Sequence, residues 1–218
     1  MLIIVCGLPG TGKSTLARHL SSDLDGRVLR TDILRRELFK EAALEEVLRS
    51  SNPMRYDLER IFDRQESIPE EYQQMIWKQK EIVYNELLKR VETLLEKGST
   101  VILDGTFYRR RLRERIYNIA KTMSVPVYLV ECRCPEEIIE DRLTKRQAVS
   151  NEVSNVKKIQ IYHTVKKAYE SPILDPVSMI IYDTFSGKIE TRNVNSEDER
   201  LRAILRSIER LIQKFCEP

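Results

Sequence analysis

The run Gly7-Leu8-Pro9-Gly10-Thr11-Gly12-Lys13-Ser14 constrains this chain more than any other feature. Its spacing, G-x-x-x-x-G-K-S, builds a loop whose backbone N–H groups point inward around a phosphate. The helix that must follow adds the positive end of its dipole. Lys13 brings a point charge to the β- and γ-phosphates, and the Ser14 hydroxyl can ligate Mg²⁺. The flanks agree with this reading. Leu2–Cys6 is a continuous apolar run, as a buried parallel strand requires. From Lys13 to Leu24 the apolar residues Leu16, Ala17 and Leu20 recur at helical spacing. The expected nucleotide cradle is Gly7, Leu8, Pro9, Gly10, Thr11, Gly12, Lys13, Ser14 and Thr15, with ATP and Mg²⁺ as its ligands.

Four more apolar runs read as strands: one beginning at Val28-Leu29, then Thr100–Leu103, Val127–Glu131 and Ser178–Tyr182. Between them lie helical patterns over 33–49, from Glu70 to Lys97 with Gly98 as a C-terminal cap, over 112–123, from Pro135, and on to about Tyr169. Residues 50–69 read as a loop-rich insertion, and the polar segment 147–156 as the mobile part of a lid region spanning about 135–170. Five strands separated by helices imply a parallel sheet covered on both faces. Ligands of such sheets bind beyond the carboxyl ends of the strands, where Gly7, Asp32, Asp104, Cys132–Cys134 and Asp183 fall. From Glu197 to Cys216 a clean apolar stripe (Leu201, Ile204, Leu205, Ile208, Leu211, Ile212, Phe215) predicts a helix covering one sheet face, with a partner interface as the alternative. The whole of 1–218 reads as one domain.

Charge sets limits on partners. The chain has 37 Lys and Arg against 34 Asp and Glu, a net of +3, so any basic site for nucleic acid is local. Four cysteines without a C-x-x-C pair, and only two histidines, argue against a structural zinc site. The opening MLIIVC is short, lacks a basic region before it and breaks at once into glycine and proline. It reads as neither a signal peptide nor a membrane span, and a cytoplasmic chain with reduced thiols is expected.

The sequence holds no Asn-Lys-x-Asp, which a guanine-specific switch needs, and Asp104 is followed by Gly105 rather than by the water-activating Glu of a motor ATPase. Asp104 reads either as a partner of Mg²⁺ or as a structural aspartate. Asp32, at the end of the second strand, can accept a proton from an attacking hydroxyl. Arg35, one helical turn on, can pin an acceptor phosphate or that carboxylate. The competing reading of Asp32 is a helix N-cap. Arg142 and Arg146 share a helix face, and one of them is expected to close over the γ-phosphate; two solvated arginines are the alternative. Arg109, Arg110, Arg111, Arg113 and Arg115 form the densest basic run, one or two of which are expected to touch an acidic acceptor such as RNA.

These ordered motifs resemble a known group. Gly7 to Ser14, Arg30-Thr31-Asp32 through Arg35, Leu103-Asp104-Gly105-Thr106-Phe107 with Arg110 and Arg113, and the Arg142/Arg146 helix together look like the P-loop kinases. These include the polynucleotide kinases, the seryl-tRNA kinases and the zeta-toxin group. The resemblance covers Met1 to about Asp183. It implies a P-loop NTPase three-layer α/β sandwich with a five-stranded parallel sheet in the order 2-3-1-4-5. It also implies transfer of the γ-phosphate of ATP to a hydroxyl: Lys13 and Ser14 hold ATP·Mg²⁺, Asp32 is the base, and Arg142 or Arg146 the lid arginine. The acceptor is then a nucleic-acid end (RNA or tRNA), a nucleoside-like compound or a small molecule. Rival readings are a nucleoside monophosphate kinase, whose arginine-rich lid signature has no counterpart in 147–165, and a non-catalytic ATP-binding switch that recruits a partner.

Overall fold

A computed structural model of the chain describes residues 1–62, 65, 67–147 and 159–216 and, within these, every side chain except those of 146, 147, 159–161 and 216. Strands β1 (Leu2–Cys6), β2 (Gly26–Arg30), β3 (Thr100–Asp104), β4 (Val127–Arg133) and β5 (Ser178–Asp183) are parallel, in the expected order 2-3-1-4-5. The sheet nevertheless has six strands rather than five, because β6 (Ile189–Arg192) pairs antiparallel with β5. This edge strand, Ile-Glu-Thr-Arg, is largely exposed. It is held by backbone hydrogen bonds and needs no apolar run, so the pattern that marks the central strands is missing. Gly187, at φ 76° in the connecting turn, is its one local signal.

All five residues of β1 are fully buried. Alternation sends Leu2 and Ile4 to one face and Ile3 and Val5 to the other. Each such side chain contributes about 1.5–3 kcal/mol by leaving water. The first face is covered by α2 (Thr31–Leu38), α5 (Glu70–Glu96) and α6 (Arg110–Thr122), and the second by α1 (Lys13–Asp23) and α9 (Glu199–Cys216). In α9 the residues Leu201, Ile204, Ile208 and Leu211 are buried with Leu16 and Leu20 of α1, so the stripe covers the sheet as expected, except at its end, where Phe215 is exposed.

The helix expected over 33–49 is interrupted. It ends at Leu38, the chain extends through Phe39, and Lys40 pairs with the next segment: its N–H donates to the Arg55 carbonyl at 2.8 Å and its carbonyl accepts from Asp57 at 2.7 Å. The short helix α3 (Leu44–Leu48) follows. The stretch expected to be loop contains α4 (Leu58–Phe62) and a small core of Val47, Tyr56, Leu58, Phe62, Tyr72 and Ile76. Gln79 of α5, fully buried, stitches it down. Its carbonyl accepts from the Leu58 N–H at 3.3 Å, and its amide donates to the Met54 and Tyr56 carbonyls at 3.0 and 2.5 Å. Helices α3 and α4 have five residues each, too few to show a period in the sequence.

Helices α7 (Glu136–Gln147) and α8 (Ile159–Lys167) complete the set. The polar segment expected to be mobile falls almost wholly outside the described residues. Among the described residues, no helix is long and apolar enough to cross a membrane.

Candidate active site

The glycines of the 7–14 loop are required by geometry. Gly10 and Gly12 sit at φ 83° and 84°, in the left-handed region. A Cβ on Gly7 would lie 2.3 Å from the Cys132 carbonyl oxygen. The loop leads directly into α1, with Gly12 at its N-cap, so the first free N–H groups of the helix face the loop interior. The Thr11 hydroxyl and the Lys13 ammonium both donate to the Leu8 carbonyl, at 2.7 and 2.6 Å. Thr15, one residue behind, has an exposed side chain.

Asp104 ends β3 beside this loop and is 4% exposed. Burial pushes its carboxyl pKa up, while Lys13, a hydrogen bond from Ser14 and Arg30 pull the other way. A hydroxyl bonded to a carboxylate under a glycine-walled loop fits a phosphate chain with a divalent cation, which Ser14 and Asp104 would hold.

The parallel register pairs Arg30 with Asp104 across β2 and β3. The Arg30 guanidinium lies 3.3 Å from the Asp104 carboxylate and grips Asp32 in two-pronged fashion, at 3.2 and 2.8 Å. Asp32 is the second residue of α2 and so not its N-cap, which is Arg30, but its carboxylate does accept the Ile33 N–H of that first turn at 2.9 Å. The structure therefore brings Lys13, Ser14, Asp32 and Asp104 to one cavity of about 170 Å³, and Arg35 joins them on its wall. Arg35 is 5% exposed and faces Glu59 at 2.9 Å and Asp57 at 3.9 Å. A second cavity, about 410 Å³, is lined by Leu8, Glu131, Tyr162 and Tyr169 among others.

Arg142 occupies a different position. Its guanidinium donates to the Gly10 carbonyl at 3.1 Å and to the Thr184 hydroxyl at 3.2 Å, and Thr184 in turn donates to the Thr11 carbonyl at 3.0 Å. It braces the loop. Such charge-assisted bonds contribute about 1.5–3 kcal/mol. Arg142→Ala is thus expected to raise the KM for ATP by about tenfold or more, with a smaller effect on kcat. Steady-state kinetics decide this: a loss confined to kcat would mean that the arginine acts on the transferred group instead. The side chain of Arg146 lies outside the described residues.

Four of the five arginines of the run bond to other side chains of the protein, and Arg111 is exposed. Arg113 is fully buried and makes a two-pronged pair with Asp175 at 2.6 and 3.2 Å, while also donating to the Phe107 and Glu170 carbonyls, each at 2.9 Å. Arg109 pairs with Glu170, Arg110 with Glu114, and Arg115 donates to Asn85. Asp183 accepts the N–H groups of Phe185 and Ser186, a turn role.

Sequence reasoning missed Glu59, Lys80, Tyr84 and Tyr108, all on the wall of the smaller cavity. One signal was present. Gln79 and Lys80 interrupt the stripe of Tyr72, Ile76, Val83 and Leu87, where an apolar residue belongs.

Comparison with known proteins places this geometry. A family model described as an AAA domain (AAA_33) matches residues 2–172. An uncharacterized protein of Mycobacterium tuberculosis is 28% identical over 145 residues, 66% of this chain and 25% of that protein, so the match spans a quarter of the relative's length. The L-seryl-tRNA(Sec) kinase of Methanococcus maripaludis is 26% identical over 216 residues, covering 92% of this chain and 71% of that one. The cytidylate kinase of Methanocaldococcus jannaschii is 25% identical over 184 residues, 84% of this chain and 85% of that one. In fold, the chain is similar to Kti12 of Chaetomium thermophilum, solved in complex with ADP-AlF3, with a TM-score of 0.56 at 18% identity over 98% of each chain. With the phosphate loop, the sheet order and the family match in agreement, this chain belongs to the AAA_33 family of AAA domains, in its P-loop kinase-like group.

Proposed function

We propose that the chain is an ATP-dependent kinase that transfers the γ-phosphate to a hydroxyl acceptor. The observation that carries this is the sharing of one cavity by a phosphate loop and a carboxylate that is not part of it: Lys13, Ser14 and Asp104 on one side, Asp32 on the other. When bound, ATP supplies the phosphoryl group and its Mg²⁺ the neutralising charge. Lys13 fixes the β- and γ-phosphates, Ser14 and Asp104 hold the cation, and Asp32 accepts the proton leaving the acceptor hydroxyl. Arg30 holds the Asp32 carboxylate in orientation. The similarity to a seryl-tRNA kinase and a cytidylate kinase supports phosphoryl transfer in general.

The test is transfer of label from γ-labelled ATP to a panel of 5′-hydroxyl RNA, tRNA, nucleosides and small metabolites. Lys13→Ala serves as the control. Its loss removes the fixed cation from the phosphates, and kcat should drop by about 10²–10³-fold, with weaker ATP binding measured by calorimetry. If turnover and ATP affinity both survive that change, the loop does not do what is proposed here.

A further inference from the structure

We infer that the acceptor is an uncharged polyol of about one sugar ring, held through several of its hydroxyls between Glu59, Arg35 and Lys80. The inference rests on the kinase reading above and names the substrate class of the same cavity.

Charge balance comes first. On the wall away from the phosphate loop the ionisable groups are Asp32 and Glu59, two anions, and Arg35 and Lys80, two cations. The cations are already committed: Glu59 takes Arg35 at 2.9 Å with one oxygen and Lys80 at 3.0 Å with the other. Desolvation would raise the Glu59 pKa, but Lys80 and Arg35 outweigh it and bring it down to about 2. The carboxylate is ionised throughout the physiological range. A phosphorylated acceptor would bring its negative charge beside the Asp32 and Glu59 carboxylates, on a wall whose two cations Glu59 already partly neutralises.

A hydroxyl meets no such obstacle, because it donates and accepts at once. The triad still has capacity of both kinds. An ammonium paired with one carboxylate keeps other N–H groups, and carboxylate oxygens have further lone pairs. The Arg35 Nη1 is not part of that capacity: it is buried and lies 3.9 Å from Asp57, whose Oδ2 is likewise buried without a hydrogen-bond partner, so the open donors and acceptors are those of Glu59 and Lys80.

Shape agrees. Val83, Val165 and the rings of Tyr84 and Tyr108 supply the apolar part of the wall, suited to the C–H face of a ring. Tyr84 is held by an edge-on contact with Phe107, with centroids 5.9 Å apart. The volume of about 170 Å³, which the γ-phosphate end of ATP shares, is below the roughly 300–1,000 Å³ of sites for drug-sized ligands, so the acceptor group that enters it is no larger than one small ring.

The experiment uses the full chain with ATP and Mg²⁺, and offers matched pairs: pentoses, hexoses, inositol and glycerol, each against its own monophosphate, together with a 5′-hydroxyl oligoribonucleotide. Products are identified by mass. Calorimetry in the presence of a non-hydrolysable ATP analogue reads acceptor binding separately from turnover. The expected result is transfer to a neutral polyol with a kcat/KM at least about tenfold above that for its monophosphate, since displacing a charged hydrogen bond costs that much or more. Glu59→Gln should lower polyol affinity about 10- to 100-fold and create measurable binding of inorganic phosphate. Lys80→Gln should lower polyol affinity without creating that phosphate binding. The wild-type preference needs no variant, so the inference can be decided even if a substitution impairs folding. Transfer to monophosphates or to RNA in preference to every neutral polyol would overturn this inference and leave the kinase reading standing. Absence of transfer to any acceptor, with ATP still bound in a Lys13-dependent way, would overturn the kinase reading and this inference with it.

Discussion

Asp32→Asn is expected to lower kcat by about two to four orders of magnitude, the range of a positioned general base, while ATP affinity stays nearly unchanged. The substitution keeps the shape and one acceptor oxygen for Arg30, but removes the basicity that a departing proton needs. Arg30 remains paired with Asp104 at 3.3 Å, so the phosphate side of the cavity keeps its geometry. Single-turnover kinetics with calorimetric ATP binding separate the possible outcomes. An equal loss of ATP binding would make Asp32 part of the cation site. Unchanged turnover would mean that the chain uses nucleotide binding as a switch rather than for transfer.

Asp175→Asn is expected to destabilise the fold by about 3–5 kcal/mol, the usual cost of leaving one member of a buried ion pair alone. Arg113 is fully buried, and Asp175 accepts two bonds from it and a third from Tyr117 at 2.7 Å. With the carboxylate replaced by an amide, the guanidinium keeps the amide oxygen and the Phe107 and Glu170 carbonyls, which are dipoles and not a countercharge. At about 2–4 °C per kcal/mol for a chain of this size, the midpoint of thermal unfolding should fall by roughly 6–20 °C. Function should follow stability here. Arg113 holds the loop after β3 at Phe107, and Thr106 and Tyr108 of that loop line the cavity. The KM for the acceptor should therefore rise more than the KM for ATP. A denaturation midpoint within about 1 kcal/mol of the wild type would show that the pair is not what holds this corner together.

Much of the architecture was legible because its signals are local. Leu2 to Cys6 is apolar at every position, and a strand buried on both faces needs just that. The phosphate loop is eight consecutive residues, and its glycines answer to backbone dihedrals that neighbouring residues set. The stripe of α9 shows its period over 18 residues. The interrupted second helix was not legible. Its end is fixed by Lys40 pairing with Arg55 and Asp57, a bond pattern that no window around Lys40 contains. Nor was β6, whose stability is in backbone bonds to β5 rather than in its side chains.

The site divides along the same line. The sequence by itself determined the phosphate side, since Lys13 and Ser14 belong to one contiguous motif, and it marked Asp32 and Asp104 by their position at strand ends. Only the tertiary structure decided what the arginines do. Arg113, which reads as one of five similar basic residues, is buried because Asp175, 62 positions later, neutralises it. Arg142 braces the loop because folding brings Gly10 and Thr184 to it from 132 and 42 positions away. Arg35 and Lys80 are committed to Glu59, which lies in a stretch without helical periodicity of its own. A charged side chain carries no sign in the sequence of whether its countercharge is water, substrate or a distant carboxylate. That choice is an energy of burial and pairing, and it exists only once the chain has closed.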